Sequence, residues 1–234
     1  MKPWLAIMLA MVLLGCALPR AEVSPEGTLD IFGPGALGAN ARLSGQWIIE
    51  GGGGDAQAKR LVSVQQAGLE ASLTLKSGPQ SFALVRRTKA QLLATPFMSW
   101  SWRMSAEAHA PGAIRLIVGF YGGDPNSRSW GAQPFVWLGT QLPPHDRVIA
   151  IQWGKRALER GNLYTDGKVP RYIARGGARQ LGEWWPENLD LAEIYRKVWP
   201  KDDIEDAEIM FIGFAVLKSD GPSEGSFRKL SLYR

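Results

Sequence analysis

The chain has 234 residues, a formal net charge of +5, 45% hydrophobic residues and one cysteine. A lone cysteine rules out an intrachain disulfide and a cysteine-built metal site. The charge is dispersed and forms no basic stripe, so no nucleic-acid partner is expected. The length suits one substantial core.

Taken from the start, Lys2 precedes the uninterrupted apolar run 4–14. Such a run suits the hydrophobic part of a signal peptide and is too short to cross a bilayer, which takes ~20 apolar residues. It ends at Leu13-Leu14-Gly15-Cys16. A lipoprotein peptidase needs a branched apolar residue three before the cut, a small residue just before it and a thiol just after it to receive the lipid. Leu13, Gly15 and Cys16 fill these roles, so residues 1–15 are expected as signal peptide and Cys16 as the lipidation site. An ordinary signal peptide cut after Ala17 is the alternative. A single cysteine at the cleavage point leaves no other thiol to misoxidise in an oxidising compartment. Residue 17 is Ala rather than Asp, which gives no inner-membrane retention signal. The expected location is the outer membrane, facing the periplasm through the lipid, with a soluble periplasmic or secreted protein as the alternative.

Residues 16–45, rich in Pro, Gly and Ala, read as a lipid-anchored tether and irregular lead-in. From residue 46 short apolar runs recur between Gly, Pro, Asn and Asp, and residues 46–234 read as a single β-sandwich domain. Strands are predicted over 46–50, 60–65, 69–76, 81–87, 97–104, 113–121, 135–138, 148–153, 171–174, 208–217 and 227–233. In 97–104, Met98, Trp100, Trp102 and Met104 share one face, predicted to be core, and Phe97, Ser99, Ser101 and Arg103 the other. Ile114, Leu116, Val118 and Phe120 form a second apolar face. The 208–217 run is apolar on both faces and predicts a central strand. One short helix is predicted after Asp190, which pairs with Glu193 as a cap; Leu191, Ile194, Tyr195, Val198 and Trp199 follow helical spacing until Pro200. The fold class expected is all-β: a jelly-roll-like antiparallel β-sandwich with one short helix.

Several motif matches fail on their structural context. The Gly33-Pro34-Gly35-Ala36-Leu37-Gly38 spelling lacks the following helix that would hold a pyrophosphate. Gly221-Pro222-Ser223-Glu224-Gly225 precedes a strand rather than a helix and has no later histidine. Ser226 and Lys229 of a Ser-x-x-Lys match sit in a predicted strand, on opposite faces. His109 and His145 lie singly in Pro-rich loops. Asp202, Asp203 and Asp206 are explained by capping and solvation as well as by an oxygen-ligand metal site. No cofactor and no metal are expected.

The aromatic residues point further. Trp184 and Trp185 stand between Gly182 and Pro186, beside Glu183, Glu187 and Asn188. Loop aromatics flanked by polar groups stack on sugar faces while carboxylates and amides hold hydroxyls. One of the two indoles is expected to plug the end of the core instead. Arg103, Arg115 and Tyr121 are placed on a shared polar face that would meet an anionic glycan or lipid head, or simply be solvated.

The Ser-Trp-Ser-Trp-Arg strand at 99–103, the Arg-x-x-x-x-Phe strand at 115–120, the Trp184 to Asp190 run and the late hydrophobic strand ending Lys-Ser-Asp at 218–220 resemble a bacterial exported family, domain of unknown function number three thousand and forty-seven, over about residues 45–234. The resemblance implies a jelly-roll-like sandwich, a secreted or periplasmic location, and no established activity. The leading expectation is a membrane-tethered envelope protein that binds a glycan without chemistry. A structural or assembly lipoprotein engaging another envelope protein is the second reading, and a glycan hydrolase or lyase the third.

Overall fold

The computed structural model describes residues 20–33, 36–37, 43–51, 55–67, 70–126 and 141–234. The expected signal peptide, Cys16 and the strand predicted at 135–138 lie outside the described residues.

Alternation in the longest strands sets the architecture. In Phe97–Met104 (β6) Met98, Trp100, Trp102 and Met104 are all buried, while Ser99, Ser101 and Arg103 stand on the other face. A strand with one apolar face needs a second apolar layer. That layer comes from Ile114–Tyr121 (β7), Arg147–Gly154 (β8) and Glu208–Val216 (β12), whose Leu116, Trp153 and Phe214 are fully buried. Rings from the two layers interdigitate: Trp102 lies 5.3 Å from Trp153, and Phe214 lies 4.6 Å from Phe227. The result is a jelly-roll-like β-sandwich of two sheets.

The first sheet has the order β11-β6-β13-β4-β3, with Trp185–Asp190 (β11) at one edge, Glu224–Tyr233 (β13) central, and Glu70–Lys76 (β4) and Val62–Ala67 (β3) beyond. Leu29–Asp30 (β1) also pairs with β13. The second sheet runs β2-β5-β12-β7-β8-β10-β9, adding Trp47–Gly51 (β2), Phe82–Gln91 (β5), Leu163–Tyr164 (β9) and Arg171–Gly176 (β10). The expected central strand is central: β12 lies between β5 and β7, and its Phe211 packs on the outer face with Val85, Ile117 and Ala150.

Four local expectations need correction. The lead-in is not a tether throughout, because Leu29 and Ile31 are fully buried and β1 extends the first sheet. Two apolar side chains in a Pro/Gly-rich segment are too weak a periodic signal to show this beforehand. The sandwich is not wholly antiparallel, since β10 runs parallel to β8. A second short helix, Asp55–Arg60 (α1), accompanies the predicted one, Leu191–Val198 (α2). In β13 the register slips between Arg228 and Ser231, and Lys229 sits at φ 53°. This one-residue bulge lets Phe227, Leu230 and Leu232 all face the core, which strict alternation forbids.

The helix start conforms to expectation: the Asp190 side chain accepts the Glu193 backbone N–H at 2.8 Å. Tyr195 of α2 closes one end of the core against Phe120 at 5.1 Å and donates to Asp202 at 2.9 Å. Asp202 also holds Arg147 at 2.8 Å, so this member of the acidic cluster is part of a part-buried ion pair. Among the described residues no His/Cys/Asp/Glu group suits a metal ion. His145 is not simply solvated: its ring stands edge-on to Phe211 at 5.1 Å.

Candidate functional site

The run from Trp185 is not a loop but a strand. It pairs antiparallel with β6, setting Trp185 opposite Trp102, Glu187 opposite Trp100 and Leu189 opposite Met98. The edge position of β11 and its proline at 186 hid it from sequence patterning, since proline is tolerated on edges and weakens the strand signal. Gly182, at φ 87°, turns the chain into this strand, and its N–H donates to the Met104 carbonyl at 2.8 Å. A residue with a Cβ is strained at that angle.

Period-two geometry then separates the predicted site residues. Trp185, Glu187 and Leu189 face inward, whereas Trp184, Pro186 and Asn188 belong to the outer side. Trp185 donates its indole N–H to the Gln180 carbonyl at 2.9 Å and carries the Arg175 guanidinium 4.1 Å above its ring. Glu187 has a side chain only 3% exposed. It accepts from Arg175, from Arg160 at 3.1 Å and from the Trp102 indole at 3.2 Å. A carboxylate so enclosed has its lone pairs committed and fixes the end of the sandwich. Trp185, itself half-buried, packs against the hydrophobic core. Glu183 is exposed at the start of this segment.

Trp184 has the opposite surroundings. Its half-buried ring rests against two guanidinium groups of the neighbouring strands, Arg228 at 4.3 Å and Arg103 at 5.2 Å. Arg103 comes from β6 and Arg228 from β13, both on the outer face of the first sheet. Between this end and the other, the face presents hydroxyls and an amide. Ser99 and Ser231 bond each other at 2.9 Å, and Tyr233 donates to Asn188 at 3.4 Å. The far end is closed by Tyr233 stacked on Phe97 at 5.5 Å. A cleft of about 190 Å³ opens beside Arg103 and Gly182. Phe97, Ser99, Tyr233 and Arg228 were not among the sequence-predicted site residues. The alternation in 97–104 places the first two outward, but only strand pairing brings β13 and β11 alongside.

Arg103 and Arg115 do not share a face. Arg103 lies on the first sheet, and Arg115 and Tyr121 lie on β7 of the second. The two strands look alike in sequence because both alternate, and nothing local records which sheet each joins. Arg115 and Tyr121 do project from the same side of β7, but six residues apart, roughly 20 Å along the strand. Arg115 opens into a separate cavity of about 630 Å³ with Gln152, Arg171 and Tyr164.

No family model and no curated protein matches the chain. Among solved structures it is similar to a family 12 xyloglucanase from Bacillus licheniformis, at 10% identity over 93% of this chain and 97% of that one, TM-score 0.41. It is similar also to a family 11 carbohydrate-binding module of a cellulosomal cellulase of Clostridium thermocellum, at 8% identity over 80% and 87%, TM-score 0.37. A third is the xyloglucanase domain of a type three effector from Sinorhizobium fredii, at 11% identity over 89% and 93%, TM-score 0.35. At these scores the chemistry of the chain rests on its own residues.

Proposed function

We propose that this protein is an exported, lipid-anchored envelope protein whose sandwich binds a glycan on the outer face of the first sheet, without catalysing a reaction. The carrying observation is the Trp184 ring, held against Arg103 and Arg228, at the head of a strip of hydroxyl and amide groups that ends at Phe97 and Tyr233. The strip follows β6 for six residues, roughly 20 Å. An aromatic at each end with polar groups between them supplies stacking for sugar faces and partners for sugar hydroxyls. The guanidinium groups pre-set the indole, so little side-chain freedom is lost on binding.

Two observations favour binding over the other readings. Glycoside hydrolysis uses two carboxyl groups flanking the scissile bond. Among the described residues, the two most buried acids at the ends of the core are already engaged, Glu187 by Arg175, Arg160 and the Trp102 indole, and Asp202 by Arg147 and Tyr195. A protein-docking surface is marked by a broad apolar patch. The exposed large hydrophobics among the described residues are instead spread over separate segments, Val23, Leu93 and Phe97, Leu158, and Val169.

The test is a fluorescence titration of residues 21–234 with neutral envelope glycans. Binding should change tryptophan emission in the wild type and weaken by about 1–3 kcal/mol in Trp184→Ala, with the melting temperature nearly kept. An unperturbed spectrum with every glycan would overturn the reading. Anchoring is tested separately: Cys16→Ser should abolish membrane partitioning, and equal soluble fractionation of both proteins would refute it.

A further inference from the structure

The second sheet carries its own cavity, with a lining that does not include Trp184, Arg103 or Arg228. Its floor is set by register. Arg115 on β7 stands opposite Gln152 on β8, Gln152 stands beside Ile173 on β10, and Arg171 on β10 stands opposite Tyr164 on β9. These residues come from four adjacent strands and line one hollow of about 630 Å³, closed at one side by the 109–113 segment. Gly112 allows that close approach: a Cβ there would stand 3.0 Å from the Trp153 carbonyl. Lys155, Lys218 and His109 stand on the rim.

The polar groups in this hollow are unevenly matched. Arg115 spends its Nε–H on the Gly112 carbonyl at 2.8 Å and forms no ion pair among the described residues. The two acids on the wall are already taken, Asp166 by Arg171 at 2.7 Å and Glu159 by Arg156 at 3.0 Å. The Gln152 side-chain oxygen is buried and has no hydrogen-bond partner. A buried acceptor left without a donor is costly, and in native proteins such a group calls for an explanation.

We propose that this cavity is a binding site for an acidic saccharide, with Arg115 taking the carboxylate, Gln152 accepting a sugar hydroxyl, and Tyr164 walling the ring. The requirement is double, a negative charge for the unpaired guanidinium and an O–H donor for the orphaned amide oxygen. A sugar bearing a carboxylate meets both, and a hollow of this size is that of a small-molecule site rather than of a single ion. The free terminal N–H groups of Arg115 match the two oxygens of a carboxylate in a fork. Burial, together with the neighbouring Arg171 cation, lowers the Arg115 pKa. A bound anion offsets both effects with its opposite charge.

This site is independent of the Trp184 face, and its test is arranged to keep the two apart. Trisaccharides of galacturonate, glucuronate and mannuronate are titrated calorimetrically into residues 21–234, alongside a neutral trisaccharide, inorganic phosphate and phosphatidylglycerol vesicles. At least one uronate is expected to bind, ten-fold or more tighter than the neutral sugar. Arg115→Ala should weaken it ten-fold or more, Arg115→Lys should fall between, and Gln152→Leu should weaken it several-fold, each with an unchanged melting temperature. Trp184→Ala should leave uronate binding intact. Failure of all three uronates to bind, equal binding of the neutral sugar, retention of affinity in Arg115→Ala, or preference for phosphate or vesicles would each overturn the assignment. If Arg115→Ala destabilises the fold, Arg115→Lys and Gln152→Leu decide the matter.

Discussion

Trp184 and Trp185 are neighbours in the chain with the same side chain and opposite fates. Trp185 turns inward, gives its N–H to Gln180 and lies under Arg175 beside the buried Glu187 cluster. Trp184 turns outward and lies on Arg103 and Arg228, on a face lined with hydroxyls. The difference is one step of strand pleat. Once β11 pairs with β6, successive side chains must take opposite faces. Arginine stacks on both indoles, so a cation–π contact does not by itself mark a binding residue. What separates them is where the partner carboxylate sits: Arg175 is tied to the buried Glu187, whereas Arg228 pairs with the exposed Glu70.

The largest effect expected is at the inner cluster. Glu187→Ala leaves Arg175, whose side chain is 8% exposed, as an unpaired buried cation. Breaking such a pair costs about 3–5 kcal/mol, read by chemical denaturation. A loss under about 1 kcal/mol would show that the cluster is hydrated and that the inward assignment of β11 is wrong. Trp185→Ala should cost about 2 kcal/mol, less than the ~3–5 kcal/mol of a fully enclosed tryptophan because this ring is half-buried. It should spare glycan affinity in whatever fraction remains folded.

The outer residues should reverse that pattern. Trp184→Ala is expected to weaken glycan binding by about 1–3 kcal/mol, the size of a modest hot spot. Its stability cost should stay near ~1 kcal/mol, from the lost contacts with two arginines. Equal melting losses for the two tryptophan variants would break the comparison. The smallest effect sharpens it further: Asn188 shares the parity of Trp184, and Asn188→Ala should cost about 0.5–1.5 kcal/mol in binding, one hydrogen bond. Calorimetric stability of that variant should match the wild type within about 0.5 kcal/mol.

Much of this was legible in the chain. The faces of 97–104 and 114–120, the doubly covered strand at 208–216 and the Asp190 cap all follow from local spacing, because burial on one side of a pleat imposes a period that single residues report. Other features left no local signal. The bulge at Lys229 depends on β13 pairing with β4 over one half and with β1 over the other. The inclusion of Leu29 and Ile31 in the core depends on a partner some 200 residues away.

The sequence by itself determined that the chain makes a sandwich, which residues form its core strands, and that aromatic and polar residues concentrate at 183–188. Only the tertiary structure decided which of those residues face water. It parted Arg103 from Arg115 onto opposite sheets, joined Arg103 with Arg228, and gathered Arg115, Gln152, Arg171 and Tyr164 into one hollow. The physical reason is that a strand's alternation defines two faces without naming them. Which face becomes surface, and what lies beside it, is fixed by hydrogen-bonded partners far away in the chain.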